Sequence, residues 1–265
     1  TIGGANVTIG YQAADALAVG ESHNIAIGSA ALGAVDEGTA GGDADHNIAI
    51  GSGALTGGDF GGSDRQLQGN IAIGGQAMDA TGANAQTGTI AIGRNALTAL
   101  TSGAGSTAVG YNSQAALTTG SGNTSVGYNS LDAVVGGSHN VAVGYDALTT
   151  AAGNASHNTA VGRDALKTWN VDGDGNNTAM GSEAGTALTT GVSCVLIGAE
   201  AGKAAQDVDG LVLIGDNAGK TLNSSNCDGT VAIGRDALAA LTSGADNVAI
   251  GFNALQANTT GSSNV

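Results

Sequence analysis

The residues of this chain that could do chemistry fall in fixed places. All four Tyr (Tyr11, Tyr111, Tyr128, Tyr145) directly follow a Gly, as do Phe252, Arg94, Arg163 and Arg235. Tyr111, Tyr128 and Tyr145 recur at 17-residue spacing, and Arg163 is next in the same column. Aromatic rings and a guanidinium anchor sugar rings or partner side chains. These four residues are therefore a candidate contact stripe for a glycan or a surface protein. The column also accepts Ser29, Ser52 and Ser182, so it reads as exposed, and simple ladder stacking competes with the binding role.

Other candidates are weaker. All four His (His23, His46, His139, His157) stand one residue before an Asn. Pairing of coils would bring His23 near His46 and His139 near His157, but two imidazoles make an incomplete metal site. The run Asn170-Val171-Asp172-Gly173-Asp174-Gly175 opens like a calcium loop, yet no Glu closes it. Asp36, Glu37, Asp43, Asp45, Asp59 and Asp64 read as solvated acidic turns. Cys194 and Cys227 lie 33 residues apart, almost two repeats. Coils stacked at about 4.8 Å would separate them by roughly 9 Å in height, beyond disulfide reach. No Ser/His/Asp or Cys/His set recurs with catalytic logic, and no phosphate loop is present. The expectation is no enzyme, no metal and no cofactor.

What positions these columns is a repeat. The phrase Asn-x-Ala-Ile-Gly recurs as Asn24–Gly28, Asn47–Gly51 and Asn70–Gly74, and returns as Asn247–Gly251. Aligned on its Gly, the phrase or a close variant occurs fourteen times, from Gly10 to Gly251, at spacings of 17 to 19 residues with two of 23. A fixed period of this kind is the signature of a solenoid, in which each repeat buries its face on its neighbours. The expected fold is all-β: a parallel β-solenoid of fourteen coils, each a short strand, a helical turn and a loop. Residues 1–265 form one repetitive domain, with longer loops at 33–46 and 56–69. The last residues, Asn264-Val265, begin another repeat, so the chain reads as a stretch of a longer protein.

Each column carries a physical expectation. The residue before Gly is Ile, Val or Met, and the residue three before Gly is Ile, Val or Thr. This alternation is that of a strand with one face in a core, so the Ile/Val pair is expected inside. The other face carries Asn, a small residue such as Ala26 or Ala142, and then Gly. That flat face suits close approach of a second chain. After Gly come a polar residue, then Ala or Ser, then usually Leu; late copies replace Leu by Gly185, Gly202 and Gly219. Leu188, Leu222 and Leu117 return three residues on, which points to a helical turn begun by Asn129, Asp146, Asp164 or Asp236 as cap. Asn24, Asn47, Asn70, Asn123, Asn140 and Asn158 stand at strand entrances and are expected to hydrogen-bond as a ladder along the stack.

Composition agrees with a narrow, repeated core. There are 47 Gly, no Pro and only seven aromatic residues among 265, whereas a single globular core of that length draws on many more rings. The net charge of −15, with seven Lys plus Arg, leaves no basic patch for nucleic acid or anionic lipid. No apolar run reaches the length of a membrane span, so direct membrane insertion is not expected.

The iterated Asn-x-Ala-Ile-Gly strand with Ala-rich, Gly-containing turns resembles the head repeats of trimeric autotransporter adhesins. It is also similar to repeats of phage tail fibres and bacterial surface fibres. The resemblance covers essentially the whole chain. It implies a left-handed parallel β-roll, a homotrimer, and display on a cell or virion surface. The functional expectation is a structural and adhesive fibre segment, the alternative being a purely structural extracellular filament.

Overall fold

The structure is a computed structural model that describes residues 4–17, 20–33, 43–57, 66–81, 85–151, 153–223 and 225–265. Asp36, Glu37, Asp59, Asp64 and most of the two longer loops lie outside the described residues. The fold is an all-β parallel β-solenoid, and its fourteen three-residue strands coincide with the repeated phrase. Two compact units divide the chain, Thr1–Gly137 and Ser138–Val265, with seven of these strands in each. In the first, Val7–Ile9, Ile25–Ile27, Ile48–Ile50, Ile71–Ile73, Ile90–Ile92, Thr107–Val109 and Thr124–Val126 pair in sequence order. The second runs likewise from Val141–Val143 to Val248–Ile250. Register is maintained residue for residue, Ile25 on Ile48 and Ala26 on Ala49, so every sequence column becomes a spatial column.

The strands face the opposite way from the sequence expectation. Their central residues are the buried ones: Ala26, Ala49, Ala72, Ala142 and Ala160 have no exposed surface, nor have Leu196 and Leu213. The flanking Ile, Val and Thr point outward and are half-buried or exposed, as Ile92, Val126 and Met180 are. The reason is the width of the coil. The opposite wall contributes Ala31 and Leu32, or Ala96, Leu97 and Leu100, all fully buried. Those side chains fill the interior, and a close-packed core leaves the strand centre room for little more than a methyl group.

Nor is the segment after the strand a helical turn. It is a pair of tight turns, Gly93 O accepting from Ala96 N at 3.3 Å and Leu97 O from Leu100 N at 3.1 Å. Their third residues or starts are left-handed: Asn95 has φ 59° and Leu97 φ 53°. A helix would direct its amides along its own axis. Here Asn95 N instead donates to Gly75 O (3.1 Å) and Leu97 N to Ser113 O (3.0 Å), so coil-to-coil bonding continues through the turn. A left-handed non-Gly residue costs roughly 1–2 kcal/mol. The inter-coil hydrogen bonds offset that cost.

Candidate functional surfaces

The Asn column forms hydrogen-bonded runs inside each unit, interrupted where Thr89, Leu211 and Thr230 take the Asn place. Asn24 Oδ1 accepts from the amide N (2.9 Å) and Nδ2 (3.2 Å) of Asn47. Asn47 Oδ1 does the same for Asn70 at 3.1 Å each, and Asn140 Oδ1 for Asn158 at 3.0 and 3.3 Å. Nδ2 of Asn24, Asn47, Asn70, Asn123 and Asn140 also reaches a backbone carbonyl of the next coil, as Asn24 to Ala44, Asn123 to Gly137 and Asn140 to Ala155, whereas Asn158 Nδ2 donates to Ser156 O of its own coil. All six are buried. Their amides are consumed by the stack and supply no chemistry to a ligand.

The column after the landmark Gly is exposed, and its members differ in what they touch. Tyr111 and Tyr128 stack with ring centroids 5.2 Å apart and planes within 9°. One face of each ring is thereby covered by the other, and edges and hydroxyls are left toward solvent. Beside them Asn95 donates to Asn112 (3.0 Å) and Asn112 to Asn129 (3.3 Å), forming a second amide ladder on the outer edge. Tyr145 is 53% exposed and sits on the second unit, where Asp164 N donates to its carbonyl at 2.9 Å. Arg163 turns away along the edge, its guanidinium donating to Asp164 (2.5 Å), Ser182 (3.2 Å) and Glu183.

From Arg163 onward the edge is a chain of ion pairs that column reading missed. Lys167 bridges Asp146 (3.0 Å) and Asp164 (2.8 Å), Lys203 bridges Glu183 and Glu200, and Lys220 meets Glu200. Hydrogen bonding to Glu183 raises the Arg163 and Lys203 pKa values, and that to Asp164 raises Lys167. Glu183 is held below the usual carboxylate range chiefly by Lys203, and Glu200 by Lys220. The cations are about a third to a half exposed and the acids more covered, and at such an open edge salt screens much of the gain. The signal was present in the sequence: the acids stand two residues after the landmark Gly and the Lys five after it, so a Lys can meet the acid of its own coil and that of the preceding one.

The remaining candidates are built into turns. His23 stacks on His46 (4.8 Å, 4°) and His139 on His157 (5.2 Å, 15°). His157 Nδ1 also meets Asp174 at 2.8 Å, and Asp172 accepts from Asn154 N at 2.8 Å. The acids of the 170–175 loop thus tie neighbouring coils together. Among the described residues no group of three or more His, Cys, Asp or Glu converges on a metal position. Cys194 and Cys227 are buried free thiols. An open hollow near the last coil is lined by Asn226, Ser243, Ala245 and Thr260, with no titratable side chain in its wall. No helix among the described residues is long and apolar enough to cross a membrane.

One interior stretch is polar where its neighbours are apolar. Ser113, Gln114, Ser125 and Ser130 take the places of Ala, Leu, Ala and Ala. Gln114 Nε2 donates to Ser125 Oγ (2.8 Å) and Thr107 O (2.9 Å), and Ser113 Oγ meets both other hydroxyls. The three hydroxyls and Gln114 Nε2 partner one another or the backbone, while Gln114 Oε1 is buried without a hydrogen-bond partner.

The outward sides of the strands give each unit an apolar face of half-buried and exposed side chains. Column by column they read Ile25, Ile48, Ile71, Ile90 and Ile27, Ile50, Ile73, Ile92 in the first unit. In the second they include Val195, Val212, Val231 and Ile197, Ile214, Ile233. Compared with known protein families, characterised proteins and solved structures, the chain matches none. Functional conclusions therefore rest on the surfaces just described.

Proposed function

We propose that the chain is a structural and adhesive fibre segment, displayed outside the cell on an adhesin or on a virion tail fibre. It presents a repetitive surface and catalyses nothing. The single observation that carries this reading is the register: identical columns recur coil after coil, with Tyr, Arg and Lys on exposed turn edges. Repeated weak contacts along such an edge sum to avidity without any deep pocket. The resemblance to trimeric adhesin heads favours self-association as a homotrimer, and a glycan or surface protein as the receptor. The acidic, unpatched surface speaks against nucleic acid and membrane insertion.

Adhesion of protein-coated beads to host cells and to glycan arrays tests the reading. Beads carrying the chain should bind, and Tyr111→Ser, Tyr128→Ser and Tyr145→Ser together should reduce binding while thermal stability is retained. Ser is a residue the column already accommodates at Ser52 and Ser182. Failure of the wild-type beads to bind any surface turns the reading to the rival, a structural filament without a receptor.

A further inference from the structure

Neighbouring strands of this chain are nearly interchangeable. Ile-Ala-Ile-Gly occurs four times in the first unit, starting at Ile25, Ile48, Ile71 and Ile90. A strand adding to the stack while the chain folds can therefore pair with the wrong predecessor and leave one coil looped out. Chain closure opposes that step only weakly. Skipping the coil between Gly93 and Gly127 doubles the closed loop, which lowers the odds about threefold. Misassembly of this kind is a characteristic failure of repeat proteins. Backbone pairing is blind to it, because every strand offers the same amides and carbonyls in the same register.

Inside, the coils are not interchangeable, because a strand-centre residue packs on the turn of the coil before it. Ser125 centres the strand Thr124–Val126, and its hydroxyl meets Ser113 Oγ and Gln114 Nε2 (2.8 Å) of the preceding turn. The second unit holds a counterpart made of volume. Leu196 lies 2.6 Å from where a Cβ on Gly185, in the preceding turn, would stand, and Leu213 lies 3.0 Å from the same place on Gly202. Ordinary coils instead follow a Leu in the turn with Ala at the next strand centre, as Leu148 is followed by Ala160.

We infer that these two places are keys that fix which coil follows which. If the coil of Ser113 were skipped, Ser125 would lie on Ala96 and Leu97, which carry no polar side chain. Its hydroxyl would lose both partners while buried, a penalty of about tenfold. If the coil of Gly185 were skipped, Leu196 would meet Leu166 of the coil before, and two Leu side chains would claim one space. A wrong step is therefore undone before the next coil adds, whereas the right one is held. The polar key gives up some stability for this selectivity, since Gln114 Oε1 is buried without a hydrogen-bond partner. The inference goes beyond the fibre reading and does not depend on what the fibre binds.

Disulfide trapping reads the coil order. On the outward side of the strands Ile92 pairs with Val109, and Val109 with Val126. Paired positions stand about 4.8 Å apart, while Ile92 is about 10 Å from Val126, beyond disulfide reach. After refolding from urea under mild oxidation, Ile92→Cys with Val109→Cys should cross-link, and Ile92→Cys with Val126→Cys should not. Skipping the coil between them would bring positions 92 and 126 together. In a Ser113→Ala, Gln114→Leu, Ser125→Ala background the intramolecular 92–126 bond should therefore rise about tenfold. Peptide mapping separates it from the buried thiols Cys194 and Cys227. This background should melt no lower than wild type, since it repeats the Ala96, Leu97 and Ala108 of neighbouring positions in the stack.

A 92–126 yield unchanged by the three substitutions overturns the inference. So does a 92–126 bond already formed when the polar cluster is intact. A background that melts below wild type also overturns it, because the cluster would then be ordinary stabilising structure rather than a key. None of these outcomes touches the adhesion assay, so the fibre reading stands or falls separately.

Discussion

Leu196 Cδ1 lies 2.6 Å from the place that a Cβ on Gly185 would occupy. The two belong to different columns, strand centre and turn, and they trade volume. Ordinary coils put Ala at the strand centre and Leu in the turn, as Ala26 and Leu32 do. Where the centre becomes Leu196 or Leu213, the turn position becomes Gly185, Gly202 or Gly219, each within about 3 Å of a Leu methyl if given a Cβ. The interior keeps its volume while its residues exchange places, as a close-packed core requires.

The exchange is testable as a double-mutant cycle. Leu196→Ala alone should cost roughly 2–4 kcal/mol by leaving a cavity. Gly185→Leu alone should cost roughly 1–3 kcal/mol by overpacking. Gly185 has φ 59°, close to the 52° of Leu32, so a Leu there adopts a conformation its counterparts already hold. The double variant rebuilds an ordinary coil and should recover at least about 1 kcal/mol relative to additivity in urea unfolding. Additive losses would show that the two sites do not share one space.

The landmark glycines are required for another reason. Gly74 has φ 133°, and a Cβ on it would stand 2.5 Å from the carbonyl oxygen of Gly93 in the next coil. Gly74→Ala should therefore cost roughly 3 kcal/mol or more, through backbone strain and a clash that no rotamer relieves. Gly53 has φ 64° and nothing nearer than 3.5 Å, so Gly53→Ala should cost only about 1–2 kcal/mol. Equal melting temperatures for the two variants would refute the close-approach account.

Cys194 predicts a dependence on alkaline pH. It continues the Asn column after Asn177: its amide donates to Asn177 Oδ1 at 3.0 Å and its thiol to Val208 O at 3.2 Å. Burial pushes the thiol from 9.0 up to about 11. A raised folded-state pKa favours the protonated form, so its contribution is intact below about pH 9 and is lost as pH rises through about 11. The loss should approach about 1.4 kcal/mol per pH unit, roughly 2–3 kcal/mol over that window. Cys194→Asn should remove this portion of the slope in urea titrations at pH 8 to 11 while other titrating groups keep theirs. An unchanged slope would mean that the thiol does not carry it.

How much of this was legible in the sequence depends on what each column reports. The period, the strands and the parallel stacking were legible because the Gly-terminated Ile/Val phrase recurs at a nearly constant interval. Orientation was not. Alternation reveals that two faces differ, and Ile25 with Ile27 is the larger pair, but only the width of the coil decides which face turns inward. Asn and Asp after the landmark Gly suggested helix caps, yet the same residues favour left-handed φ, and that is what Asn95, Asp146 and Asp164 adopt. Leu97 and Leu100 three residues apart suit a helical face, and equally a pair of tight turns. The ion-pair edge escaped because the contacts that join it into a chain, such as Lys167 with Asp146 and Lys203 with Glu183, are distant in sequence and meet across coils.

Strand orientation is itself open to a direct test with two neighbouring residues. Ala142 is fully buried at a strand centre, and Val143 beside it points outward. A Glu at position 142 would force a carboxylate into an interior that offers no cation, a burial that cannot be compensated and that costs several kcal/mol. Ala142→Glu should therefore unfold its unit, with loss of the cooperative melting transition and of the β-sheet signal. Val143→Glu places the same charge on the outward, half-exposed side of the strand, where solvent reaches it. That variant should retain a cooperative transition within about 1–2 kcal/mol of wild type, the range of an unfavourable surface change. If the Ile and Val columns faced inward instead, the outcomes would be exchanged: Val143→Glu would unfold and Ala142→Glu would fold.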